Sequence, residues 1–193
     1  GAADARGGKW LAGPGAELFR GRENKNIVAE DLGIIDDGVR ALMKETGYPG
    51  MKVLEFAFDG NPANDHKPSN YSENCVAYTG THDNDTLLGY INKLKGREYR
   101  NFKNSLEEVL KDADIAYPLQ NKKEMAQAIL YLTMKSKAFL AVLPIQDILL
   151  LDSRARMNIP STTSGNWQFK LKSLPNEQEM SDFCKMINSC ERN

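Results

Sequence analysis

The sequence predicts an α/β fold built on parallel strands. Short apolar runs of strand length alternate with stretches of helical periodicity, and that alternation pairs strands in parallel. Two of the four strand candidates run straight into carboxylate-bearing loops: Glu30 follows the first and Asp83 the third. Reactive groups at the C-terminal ends of strands are the habit of a (β/α)8 barrel more than of a doubly wound sheet. A closed barrel has eight strands, and four are legible here. Residues 1–193 are therefore expected to form one segment, half of a barrel.

The elements follow in order. Ile27-Val28-Ala29 is a short apolar run that stops at Glu30-Asp31-Leu32-Gly33. Val39, Leu42 and Met43 sit at i, i+3 and i+4, which predicts a helix closed by Gly47. Met51–Phe58 reads as a strand framed by Pro49-Gly50 and Asp59-Gly60. A polar loop rich in Asn, Pro, Asp and Ser runs over 61–74, long enough to carry function. Cys75–Thr79 is the third strand, and it ends at Gly80-Thr81-His82-Asp83-Asn84-Asp85-Thr86. Helices are predicted over 86–94, 97–111 and 122–136, each with its apolar residues on one face. Ala141–Asp147 is the fourth strand candidate, weakened by Pro144. A Ser/Thr/Gly loop at 161–165 precedes a last amphipathic helix bearing Met180, Phe183, Cys184 and Ile187.

Composition narrows the function classes. The 25 Lys and Arg residues nearly balance the 26 Asp and Glu, for a net charge of −1, which argues against a nucleic-acid binder. No apolar run reaches the roughly 18 residues of a membrane helix; the stretch 138–151 is broken by Pro144, Gln146 and Asp147. No signal peptide is visible in the first residues, GAADARGG. Cys75, Cys184 and Cys190 are an odd number at no metal spacing. They read as free thiols of a cytoplasmic protein, with a Cys184–Cys190 disulfide as the alternative.

Two clusters could carry chemistry. A carboxylate just past a buried strand, as at Glu30-Asp31, is partly desolvated; its pKa rises, which suits a general acid, although either residue could equally cap the next helix. In His82-Asp83-Asn84-Asp85, four polar residues directly follow an apolar strand, a costly placement unless they are satisfied. His82 and Asn84 can donate hydrogen bonds and Asp83 accept them in a ligand-gripping turn. The alternative is a cap for the helix near Thr86, supplied by Asp85 or Asn84. A metal site on His82, Asp83 and Asp85 has ligand types but lacks a calcium-loop pattern. Trp10, Trp167 and Tyr71 stand in loop contexts, where aromatic rings either stack on sugars or simply pack.

Five ordered motifs then carry a resemblance. They are Gly8–Gly15, Ile27–Gly33, Pro49–Phe58, Tyr78–Thr86, and Ala155–Pro160 with Gly165-Asn166-Trp167. Together they resemble the C-terminal part of 4-α-glucanotransferases, also called amylomaltases or disproportionating enzymes. The resemblance implies the C-terminal half of a (β/α)8 barrel of the α-amylase type. It also implies transfer of α-1,4-glucan segments between maltooligosaccharides with the anomeric configuration retained, and no cofactor or metal. By resemblance Glu30 is the general acid/base, Asp83 the transition-state stabiliser, and His82, Asn84, Trp10, Asn158 and Tyr71 contact substrate. The nucleophilic Asp lies upstream of Gly1, so the 193 residues alone are expected to be inactive on maltotriose. A half barrel would need the missing half, or self-association, to cover its edges.

The motifs depart from the family pattern at Ser161, at Phe169 and Lys170, and at Ser69, where the family favours Gly, Trp and Arg, and His. These changes bear on chain-length preference more than on reaction type. The loops at 61–74 and 158–167 are expected to wall the acceptor side. Two other readings remain open: a carbohydrate-binding or interaction module without chemistry, and a metal-dependent hydrolase. The enzyme reading expects Glu30 and Asp83 to face a shared cleft.

Overall fold

A computed structural model describes residues 7–9, 11–22, 25–33 and 35–192. The chain forms two compact units, residues 1–50 and 51–193.

In the first unit, a 3-10 turn (Gly15–Phe19) ends with Phe19 edge-on to Tyr48, ring centroids 5.4 Å apart. Helix α1 (Asp37–Thr46) carries the predicted Val39, Leu42 and Met43 face half-buried. Asp36 Oδ1 accepts from the Val39 N–H at its start, and left-handed Gly47 closes its end, as a residue without Cβ does readily. The predicted strand at Ile27–Ala29 is not formed. The Ala29 N–H donates to the Pro49 carbonyl at 2.9 Å, but no ladder develops around it.

The second unit holds a three-stranded sheet in the order β1-β2-β3, with β1 at Gly50–Val53, β2 at Cys75–Tyr78 and β3 at Leu140–Val142. Thus three of the four expected strands exist. β2 and β3 run parallel, with Val76 opposite Leu140 and Tyr78 opposite Val142. Parallel neighbours need a crossover, and it is made by α2 (Leu87–Lys93), α3 (Gly96–Asp112) and α4 (Lys122–Lys135). These match the three predicted helices to within two residues. The core gathers Leu54, Ala77, Leu87, Ile91, Phe102, Leu106, Met125, Ile129 and Leu132. α4 buries Met125, Ala126, Ala128, Ile129, Leu130, Leu132, Thr133 and Met134, so it is the central helix, apolar nearly all round.

Two predicted strands are shorter than expected. After Val53 the chain tightens into a 3-10 turn (Leu54–Ala57), which buries both Leu54 and Ala57. Residues three apart eclipse in such a turn, so one inward face takes both; a strand would have turned them to opposite faces. β3 ends at Val142 because Pro144, with its fixed φ and no N–H, starts the short helix α5 (Ile145–Ile148) instead. The last helix, α6 (Glu177–Ser189), opens with a capping box between Asn176 and Glu179. Cys75, Cys184 and Cys190 are all free thiols, so the alternative disulfide is absent. Among the described residues no helix is long and apolar enough to cross a membrane.

Asp147 fixes how these pieces meet. Its carboxylate is buried, accepting from Thr79 Oγ1 at 2.6 Å and from the Leu87 N–H at 2.8 Å. It therefore ties the end of β2 to the first turn of α2, where backbone N–H groups have no helical partner. Beside it, Gly89 lets three polar atoms approach α2. A Cβ there would lie 2.5 Å from Ser153 Oγ and under 3 Å from Thr86 Oγ1 and Asp85 Oδ1.

Asp147→Ala leaves a hydroxyl and an N–H buried without an acceptor. It should lower the unfolding free energy by about 3 kcal/mol, with Asp147→Asn costing less because one oxygen remains. Urea denaturation of the three proteins checks the order.

Candidate active site

The C-terminal ends of β2 and β3 open into a cavity of about 340 Å³ in the second unit. Its wall includes Tyr78, His82, Asn84, Arg156, Met157 and Trp167. The turn Thr81–Asp85 forms one side. Asn84 Oδ1 accepts from both the N–H and the hydroxyl of Thr81, each at 2.9 Å, which closes the turn on itself.

Asp83 stands on this turn about half exposed. Its Oδ1 accepts from Asn158 Nδ2 at 2.6 Å, and its backbone carbonyl accepts from Arg156 Nη2 at 2.6 Å. Arg156 also donates from Nε to the Asn158 carbonyl at 2.8 Å. One guanidinium thus fastens both the turn and the segment that supplies the amide on Asp83. His82 Nε2 is 3.4 Å from Asp83 Oδ1, close enough to pair when the imidazole is protonated. The His82 ring faces Trp167 at 5.0 Å, tilted by 38°. Trp167 is 63 % exposed and holds a left-handed backbone, φ 60°, uncommon for a bulky residue. Its N–H donates to the Met157 carbonyl at 2.7 Å, which pins it there. Asn166 knits the preceding loop by accepting from the Ile159 N–H and donating to Thr162.

The structure brings together His82, Asp83, Asn84 and Asn158, four of the residues singled out from sequence. Tyr71 is a correction. It is buried in the core, its hydroxyl donating to the His66 carbonyl at 2.9 Å, so its ring packs and offers no face to a ligand. The 61–74 loop around it is knit by Asn64 and Asn70. Glu30 belongs to the first unit and is exposed, not partly desolvated as its position after an apolar run suggested, because no strand forms there to bury it. Asp31 lies against Gly50, whose missing Cβ leaves room for the Asp31 carboxylate. Trp10 lies outside the described residues.

Helix α2 is capped by Thr86, whose Oγ1 accepts from the Gly89 N–H at 3.1 Å; neither Asp85 nor Asn84 caps it. Asp85 instead accepts from Ser153 Oγ at 2.7 Å, from the Thr86 N–H and from Lys93, contacts that together hold its carboxyl below the usual range. With Asp85 so engaged, the metal reading loses a ligand. Among the described residues no three His, Cys, Asp or Glu side chains are grouped to hold a metal ion.

Sequence reasoning passed over Arg156 and Asp147, and also Glu55. Burial pushes the Glu55 carboxyl up to about 7, with Asp147 and Asp85 nearby adding to the rise, while a hydrogen bond from Asn84 and the charge of Arg156 oppose it. Asp147 is raised by its burial as well. A charged residue inside an apolar run was the available signal for both: Asp147 in 138–151 and Glu55 in 51–58.

The folded chain keeps the Glu55 proton up to about pH 7, whereas an unfolded chain releases it near 4.5. The resulting stability is fully present below about pH 4.5 and is lost as pH rises through about 7. Glu55→Gln mimics the protonated form. Relative to wild type it should gain about 2 kcal/mol on going from pH 5 to pH 8, as read from chemical unfolding at the two pH values.

Comparison with known proteins bears on this arrangement. The sequence model of the family described as 4-alpha-glucanotransferase matches residues 1–176. The 4-alpha-glucanotransferase of Thermus thermophilus is 43 % identical over 176 residues, covering 88 % of this chain and 34 % of that protein. The chloroplastic/amyloplastic 4-alpha-glucanotransferase of Solanum tuberosum is 39 % identical over 170 residues, covering 86 % of this chain and 28 % of that protein. The amylomaltase of Streptococcus agalactiae, solved in complex with acarbose, superposes with a TM-score of 0.81 at 30 % identity, over 96 % of this chain and 36 % of that one. The chain therefore spans about a third of the length of these relatives. Its parallel strands and crossover helices are part of a (β/α)8 barrel. With the match running through the Asp83 turn and the Asn158–Trp167 segment, the chain belongs to the 4-alpha-glucanotransferase family.

Proposed function

We propose that these residues carry the proton-transfer and hydroxyl-binding parts of a retaining transfer of α-1,4-glucan segments between maltooligosaccharides. The observation that carries the reading is Asp83, a carboxylate fixed by Asn158 and Arg156 yet half exposed, between His82 and Asn84, which line the cavity. An anion held in this way can accept hydrogen bonds from two ring hydroxyls, and bonds that tighten as the ring distorts favour the transition state over the ground state. The exposed Trp167 face beside His82 supports a sugar ligand, since its apolar face can stack on a pyranose. The complex of the S. agalactiae amylomaltase with acarbose supports the same ligand class.

In this reading Glu30 protonates the glycosidic oxygen as the bond to the anomeric carbon breaks. A nucleophilic Asp, contributed by polypeptide outside these 193 residues, forms the glycosyl ester. Glu30, now a carboxylate, takes the proton from the acceptor hydroxyl as that oxygen attacks the anomeric carbon and releases the Asp. Two inversions leave the configuration retained. Further strands of the barrel, or a second copy of the chain, cover the apolar side chains that β3 and its neighbour expose, Phe139, Leu140 and Val142. The loops at 61–74 and 158–167 border the acceptor side. The free thiols support a reducing compartment such as the cytoplasm, although the plant relative is named as chloroplastic/amyloplastic.

In the enzyme that joins this segment to the nucleophile-bearing part, Glu30→Gln should lower transfer from maltotriose about 10³-fold while oligosaccharide binding persists. Asp83→Asn should lower kcat about 10²-fold, and Trp167→Ala should weaken binding about tenfold. Glucose and maltopentaose release, with calorimetric binding in parallel, measures all three. Transfer that is indifferent to Glu30 would leave only a carbohydrate-binding role. The 193 residues alone should release no glucose from maltotriose.

A further inference from the structure

Glu55 stands directly after β1, with its N–H donating to the Thr79 carbonyl at 3.1 Å where β2 ends. Its Oε2 is wholly enclosed and has no hydrogen-bond partner, an uncommon state for a buried carboxyl oxygen. The side chain of Asn84 is its polar neighbour: Asn84 and Glu55 Oε2 both crowd the space that a Cβ on Gly80 would fill. Asn84 Oδ1 is already taken by Thr81, which leaves the Nδ2 amide as the group that can donate toward Glu55. Gly80 makes the approach possible: a Cβ there would lie 3.2 Å from Asn84 Cβ and 3.5 Å from Glu55 Oε2.

We propose that Glu55 is the positioning residue of the Thr81–Asp85 turn: through Asn84 it sets the conformation in which His82 lines the cavity and Asp83 meets Asn158. It has no place among the cavity-lining side chains and acts only through Asn84. The groups facing it are Asp147 on α5, Asp85 ahead of α2, Tyr90 on α2 and Arg156 beyond the 153–155 turn; His82 and Asp83 lie on the turn itself. With Glu55 neutral, Asn84 keeps its acceptor, and Arg156 is left to the Asp83 and Asn158 carbonyls. With Glu55 ionised, the carboxylate pulls harder on the Asn84 amide, repels Asp147 and Asp85 and competes for Arg156, so the turn shifts. The swing falls near neutral pH because burial lifts the carboxyl to about 7. The consequence for glucan transfer rests on the role proposed above for Asp83; the positioning of the turn does not.

The test is a pH series of NMR spectra of the chain, with 13C-labelled glutamate and 15N-labelled backbone. It is run in a His82→Gln background so that the imidazole of the turn does not titrate. The amides of Thr81, Asp83 and Asn84 should shift with an inflection matching that of the Glu55 carboxyl. In Glu55→Gln the inflection should vanish, and the amides should stay at their low-pH positions, since glutamine still accepts from Asn84. In Glu55→Ala they should move at every pH. Turn amides that ignore the Glu55 titration, or that keep the inflection in Glu55→Gln, overturn the proposal. Maltotriose calorimetry with the same Glu55 variants, His82 intact, separates the two ideas. A turn that follows Glu55 while maltotriose affinity stays flat sustains the positioning role and counts against the sugar-binding role of Asp83.

Discussion

A single buried carboxylate determines where the site can form. Asp147 accepts from the end of β2 through Thr79 and from the start of α2 through the Leu87 N–H. The turn that bears Asp83 runs between those two points, so its two ends are fixed by one side chain from α5. Burying a carboxylate is costly unless it is hydrogen-bonded, and here each oxygen has a donor. The first donor is a hydroxyl at a strand end and the second a helix N-terminal amide, where a negative charge is favoured.

The site above this anchor is built by division of labour. Asn84 closes the turn from within, Arg156 and Asn158 hold it through Asp83, and Trp167 is pinned in a strained backbone beside His82. Asp83, about half exposed, keeps acceptor capacity open to solvent. Asp85, two residues on, has spent its own on Ser153, Thr86 and Lys93. Two neighbouring carboxylates of the same chemistry therefore have separate tasks, one structural and one free for a ligand, and their partners decide which is which.

Much of this was legible in the sequence, and the failures have physical reasons. Helices α2, α3 and α4 were readable because each keeps an apolar stripe at the 3.6-residue period. Ile27–Ala29 has strand composition but no partner to complete a ladder, and pairing is a property of the fold that no short apolar run carries by itself. Leu54–Ala57 was read as strand because 51–58 has strand length between two turn signals; a mostly apolar run this short does not reveal its period. His82, Asp83, Asn84 and Asn158 could be named as polar residues beside apolar segments or within family motifs. Tyr71 could not be told from a ligand-facing aromatic, since the same residue type serves both uses and only burial separates them. Glu55, Asp147 and Arg156 meet the turn and its anchors 29 to 73 positions away in the chain, a distance at which local pattern is silent.

The crowding around Gly89 has a consequence for how such chains drift over time. Ser153 Oγ, Thr86 Oγ1 and Asp85 Oδ1 fill the space where a side chain on residue 89 would begin. A glycine inside a helix is ordinarily a liability that mutation to alanine would repair. Here the repair is opposed by three side chains, one of them 64 positions further along the chain. Position 89 is therefore not an independent letter: a methyl there requires the side chains at 85, 86 and 153 to shift with it.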